Sequence, residues 1–236
     1  IKINRAGGPS GQAHKGETTM ANSSTTGFGL RMIERLGNTP SIGGQSEYLV
    51  ESGLGVGLYK GNPVSLQDAG GSEGFLQDAS FATTDDTGNG GAAYDNGADS
   101  LLVGAFNGIF YVDSSTAKPR FVNSVDAGTI FGTDYNTGSS NGTAFVNDDP
   151  IQEYMIKTDA ACPTSNNGKS FNVTSFTATD NKDGQSTVLL NVAGGSATTK
   201  MWKVVRVGQD PENKDISAAG VNMVVVVNSA SNLYIN

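Results

Sequence analysis

The sequence predicts an all-β protein: a barrel or sandwich of about a dozen short strands with an extended N-terminal arm. Three observations predict it. Glycine supplies 32 of the 236 residues, and glycine is unfavourable in helix interiors. Short Val-rich runs alternate with clusters of Ser, Thr, Asn, Asp and Gly, the residues that build tight turns. Helix-forming stretches of Leu, Glu, Lys and Ala are missing, and charged residues make up only 16 % of the chain.

Residues 1–19 read as translated upstream sequence or a disordered leader. Met20-Ala21-Asn22 has the form of a natural start, and Lys15-Gly16-Glu17-Thr18-Thr19 is compatible with a purine-rich ribosome-binding stretch before it. No apolar core of a signal peptide precedes Met20. Residues 20–44 form the expected arm. Within it Phe28, Leu30 and Met32 alternate as in a strand, whereas Met32, Ile33 and Leu36 would share one side of a helical turn. An arm with at most a short helix follows. Phe28, Leu30, Met32, Ile33 and Leu36 are its candidate partner-binding residues, and its removal is expected to leave the β domain folded.

A β domain over 45–158 comes next. Ser46–Glu51 and Val56–Tyr59 are strand candidates separated by Gly53-Leu54-Gly55. Asn62–Leu66 is another, and Pro63 places its start or marks an edge. Gly74–Gln77 follows, and residues 81–100 form a loop excursion rich in Asp, Gly and Asn. Leu101–Val112 gives the strongest strand signal, and Gly104 and Gly108 inside it predict bulges or a bend. Ser114–Lys118 turns the chain back into Pro119–Val122 as a hairpin. Residues 126–142 read as a loop, and Thr143–Asn147 and Gln152–Thr158 as strands around Asp148-Asp149-Pro150.

A second β subdomain over 159–236 is expected to pack on the first. Its strands are Ser170–Ala178, Thr187–Val192, Met201–Val207 and Val221–Val227. The unbroken Val224–Val227 run predicts a central strand covered on both faces, and Met201 and Trp202 read as core.

Chemistry is sparse. His14 is the only histidine, so triads and most transition-metal sites have no material to draw on. Cys162 has no nearby group to activate it and reads as a bystander; as the single cysteine it excludes an internal disulfide. The runs Gly53–Gly57 and Gly88–Gly91 lack the Lys-Ser/Thr and following helix of a phosphate cradle. Asp85-Asp86, Asp148-Asp149 and Asp180 with Asp183 could in principle chelate calcium or serve a glycosidase. The Asp180–Gly184 stretch lacks a distal bidentate Glu, however, and carries Lys182 among its ligands, so a turn is the better reading. No enzyme, metal site or cofactor is expected. A net charge of −8 without any basic cluster argues against nucleic acid, and no apolar run is long enough for a membrane helix.

Several segments taken together resemble a family of small virion structural proteins of marine tailed phages. They are Met20-Ala21-Asn22 leading to Gly27–Arg31, Tyr59–Val64, Val103–Tyr111, Ser115–Phe121, Ala144–Pro150 and Val207–Asn213, in matching order and rough spacing. The C-terminus, Asn228–Asn236, departs from the polar, often His- or Tyr-containing tail of that family. The layout from Tyr59 to Phe121 also resembles small β-barrel decoration proteins of capsids. The resemblance implies a virion protein made in a bacterial cytoplasm, with no catalytic residues. Its role would be a decoration or accessory head protein, homo-oligomeric and seated on the major capsid protein or other virion subunits. A tail-tube or head–tail connector subunit and a carbohydrate-binding adhesin are the alternatives.

Overall fold

The computed structural model describes residues 22–37, 39–40, 44–67, 74–79, 102–174, 184–198 and 200–235. The expected excursion over 81–100, the leader 1–19 with His14, the Gly88–Gly91 run and the carboxylates Asp85, Asp86, Asp180 and Asp183 lie outside the described residues. In chain order the strands are β1 (Arg31–Arg35), β2 (Thr39–Pro40), β3 (Ser46–Val50), β4 (Leu58–Tyr59) and β5 (Pro63–Leu66). Then come β6 (Leu76–Asp78), β7 (Leu102–Asp113), β8 (Pro119–Val122), β9 (Ser124–Val125) and β10 (Phe131–Gly132). The last are β11 (Gly142–Asn147), β12 (Gln152–Lys157), β13 (Ser170–Phe171), β14 (Trp202–Val207) and β15 (Asn222–Val227). Two 3-10 turns, Thr164–Asn166 and Ser229–Ser231, are the only helical elements among the described residues. The all-β class is what the turn-rich composition predicts.

Two antiparallel sheets carry the fold. The first runs β13-β14-β15-β12-β1-β2; the second runs β3-β11-β7-β5-β6, with β8 and β10 also paired to β7. β4 and β9 form a small separate ladder. The second sheet curls until β3 and β6 lie within 8 Å of each other between Cα atoms. No ladder joins them among the described residues, so the barrel stays open.

Each sheet has its own core. The first packs Trp202, Tyr154, Phe171, Met201, Ile156 and Met223. Tyr154 meets Trp202 edge to face at 5.6 Å, a favourable quadrupole arrangement. The second core packs Phe106, Ile109, Leu58, Leu76, Val50 and Val64. β7 belongs to both. Its Leu102 and Ala105 enter the first core, while Val103, Phe106, Ile109 and Tyr111 enter the second. One strand is therefore the wall the two cores share.

The glycines of β7 sit where bulges form. Phe145 faces Gly108 while Val146 faces Phe106, leaving Asn107 as an extra residue. Val64 faces Gly104 while Ser65 faces Leu102, leaving Val103 extra. Such insertions let a strand change which core it feeds. At Gly104 a Cβ would lie 2.0 Å from the Asn147 carbonyl oxygen. β15 has the expected central position, between β12 and β14, and is buried along its whole length.

Three expectations are corrected. The arm of 20–44 is instead part of the fold: β1 lies between β12 and β2, with Arg31 facing Met155 and Met32 facing Tyr154. The residues before it are pinned too, because Asn22 Nδ2 donates to the carbonyls of Asp215 and Ala219 at 3.0 and 2.9 Å. Deleting Phe28–Leu36 would thus open the first sheet. The division at 158 also falls elsewhere, since β1 and β12 join β13–β15 in one sheet. Finally, Thr187–Val192 forms no ladder among the described residues. Leu190 makes isolated bridges to Thr158 and Val173, so its alternation reflects plugging of the core's end, with Val188 and Leu190 buried. In the candidate Ser170–Ala178 only Ser170–Phe171 joins a ladder, Val173 makes the isolated bridge to Leu190, and residues 175–178 lie outside the described set.

The close approach at Gly104 gives a direct test. Gly104→Ala is expected to destabilise the protein by roughly 2 kcal/mol or more, because backbone rather than a movable side chain blocks the new methyl. Urea unfolding measures it, and an unchanged midpoint would contradict the packing described.

Candidate interaction surface

The five residues expected to bind a partner do not form one exposed patch. Leu30 is buried and packs in the first core, with Met32 against it. Phe28 is half-buried, with the Arg31 guanidinium 4.6 Å above its ring. Ile33 is half-buried in β1. Only Leu36 is exposed, beside Ile151, whose carbonyl oxygen accepts the Leu36 N–H at 2.8 Å.

A different apolar surface lies on the outside of the second sheet. Antiparallel partners directly opposite each other point to the same face. Phe121 of β8 faces Phe110 of β7, Phe110 faces Thr143 of β11, and Thr143 faces Leu49 of β3. The next row brings Gly108, Phe145 and Glu47 together. The rings of Phe121 and Phe145 meet at 5.4 Å, tilted by 54°. They close over Gly108, where a Cβ would lie 3.3 Å from the Phe121 ring. Phe121 is 63 % exposed and Leu49 52 %; Phe110 and Phe145 are half-buried. Alternation along a one-sided sheet would place polar groups here, and contiguous exposed apolar surface on a sheet marks a contact site.

The backbone beneath this face is fixed. The β7–β8 hairpin closes through Asp113, whose Oδ1 accepts the N–H groups of Ser115 and Thr116, each at 2.9 Å. Arg120 reaches the other carboxylate oxygen at 3.1 Å. The Thr116 N–H first, then Arg120, hold the Asp113 carboxyl below its ordinary range. In β3 itself, Tyr48 donates to Asp148 at 2.8 Å and also contacts the Tyr234 hydroxyl, so the C-terminal segment is tied to the sheet's edge.

Charged groups elsewhere serve the scaffold. Arg206 of β14 grips the buried Glu153 of β12 at 2.7 and 2.6 Å and also pairs with Glu34 of β1. Arg35 pairs with Asp149 at 2.6 Å. Asp148 and Asp149 are thus engaged with Tyr48 and Arg35. Gly53–Gly57 lies in turns. Cys162 is fully buried, and burial pushes its thiol up from its ordinary value. Among the described residues no group of three or more His, Cys, Asp or Glu side chains could hold a metal ion, and no helix is long and apolar enough to cross a membrane.

Nothing in the sequence signals the aromatic face, because its members come from separate strands and only the register unites them. Phe121 inside the resemblance segment Ser115–Phe121 was the nearest signal.

Burial of Tyr154 yields a pH prediction. Desolvation raises its phenol above the ordinary 10.0, so the folded state favours the neutral form. The stability tied to it is complete below pH 10.0 and declines as pH climbs through and beyond that value, where only the unfolded chain ionises. Tyr154→Phe should flatten this alkaline decline in denaturation curves, besides losing about 1 kcal/mol with the bond to the Asn147 carbonyl. An equally steep decline in the variant would contradict the assignment.

No family model, curated protein or solved structure matches the chain.

Proposed function

We propose that this protein is a non-catalytic assembly subunit that adheres to a partner protein through the outer face of its second sheet. The observation behind this reading is the row Leu49, Phe110 and Phe121, with Phe145 beside it: Leu49 and Phe121 are exposed, Phe110 and Phe145 half-buried, and their strands are joined by continuous ladders in the order β8-β7-β11-β3. Aromatic side chains carried on rigid strands bind at low entropic cost, because few torsions freeze on contact. Aromatic anchors at the centre of a contact supply most of its energy.

The resemblance to marine tailed-phage virion proteins supplies an address for that surface. On this reading the chain is a capsid decoration or accessory head protein. It seats its aromatic face on the major shell protein and is repeated over the particle. Many copies, each burying a modest apolar interface, reinforce a shell without any chemical step. The absence of a basic cluster in the sequence fits contact with protein rather than with packaged nucleic acid.

The test is binding of purified protein to empty, expanded capsids of a phage encoding it. Phe121→Asp should weaken binding by roughly ten- to a hundredfold, as expected for removal of an aromatic anchor. Its melting temperature should stay near that of the parent, since the side chain is exposed. Equal capsid binding by the variant, or no capsid binding by the parent, would contradict the proposal.

A further inference from the structure

Strand β8 ends the second sheet on one side: among the described residues β7 is its only ladder partner. Pro119, Arg120 and Phe121 of this strand are exposed. An unpaired edge of this kind is a template for another strand.

The hairpin fixes which backbone groups face that edge. The Asp113 N–H donates to the Lys118 carbonyl at 2.9 Å, and hydrogen-bonded pairs of an antiparallel ladder alternate from there. Arg120 therefore bonds to Tyr111 and Val122 to Ile109, with Pro119 and Phe121 at the intervening positions. Pro119, which has no N–H, suits such a position. Within each peptide the N–H and C=O point opposite ways. The Pro119 carbonyl, both backbone groups of Phe121 and the Asn123 N–H thus point away from β7. Among the described residues none of them has a hydrogen-bond partner.

We infer that β8 pairs antiparallel with β8 of a second copy, about a two-fold axis at Phe121, so that two second sheets become one. The outward groups are self-complementary, as an isologous contact requires. Phe121 of each copy donates to and accepts from Phe121 of the other. Each Asn123 N–H meets the Pro119 carbonyl opposite, where the proline acts only as acceptor. Charge agrees with the pairing. The chain carries a net −8, yet residues 118–123 hold no carboxylate. Arg120 is already paired with Asp113 at 3.1 Å, and it falls opposite Val122 of the other copy.

The neighbouring registers fit less well. An axis at Arg120 would set the two guanidinium groups side by side. It would also place Pro119 opposite Phe121 and leave the Phe121 carbonyls without donors. An axis at Val122 would bring Arg120 against Ser124, where Gly184 already stands: a Cβ on Gly184 would lie 2.7 Å from Ser124 Oγ. Pairing through the edge uses backbone groups and does not rest on the adhesive reading. It sets the two aromatic faces side by side, because cross-strand partners share a face.

Sedimentation of the full chain over a concentration series, with hydrogen exchange and no capsid present, tests this. The expected result is a reversible dimer whose Phe121 and Asn123 amides are protected and become exchangeable on dilution to monomer. The amides of Arg120 and Val122, held by β7, should stay protected in both states. Asn123→Pro removes an edge donor without touching the β7 ladder and should weaken dimerisation roughly tenfold or more. Tyr135→Ser alters an exposed aromatic in the loop after β10, across β7 from the edge, and should leave the dimer intact. A chain that stays monomeric at every concentration would overturn the inference. So would a dimer with freely exchanging Phe121 and Asn123 amides, or one dispersed by Tyr135→Ser. The amide pattern of the parent decides the matter even where a variant does not fold.

Discussion

The whole structure depends on the N-terminal half of β7 being buried on both faces. A strand normally gives alternate side chains to a core and to solvent. β7 instead gives Leu102 and Ala105 to one core and Val103, Phe106, Ile109 and Tyr111 to another. This sharing makes two small sheets mutually dependent, since neither core is complete without the same backbone. Bulges at Val103 and Asn107 permit it, and Gly104 beside the first permits the close passage of Asn147.

The adhesive reading follows from the same arrangement. The C-terminal half of β7 carries Phe110 on the face that no element covers among the described residues, and β8, β11 and β3 extend that face with Phe121, Phe145 and Leu49. An apolar patch on a loose loop would collapse onto its own domain. On a curled sheet fixed by the Asp113 turn and the Tyr48 contacts it stays presented. A subunit whose work is contact needs this stiffness more than it needs reactive groups. The first sheet supports it from the other side, with β1 locked to β12 and β14 by the Glu34–Arg206–Glu153 ion group.

Local signals were legible where the physics is local. Leu101–Val112 reads as a strong strand with bulging glycines, Val224–Val227 as a central one, and Pro119–Val122 as the return of a hairpin, all as found. What depends on distant pairing was not legible. Phe28–Leu36 fits a strand or a helical turn equally well, and only its ladder with Gln152, Tyr154 and Met155 decides; hence an arm was expected where a sheet strand stands. The division at 158 failed for the same reason, because β12 pairs both forward with β15 and backward with β1. The aromatic face is a property of register across four strands, which no single stretch of sequence contains.

Native-state hydrogen exchange tests the central claim that one strand binds both cores into a single unit. Amides of Ile109 and Ala144 in the second sheet should open with the same free energy and denaturant dependence as those of Tyr154 and Val225 in the first. Independent opening of either group, well below the other, would mean that β7 does not couple the sheets and that the presented face lacks the support ascribed to it.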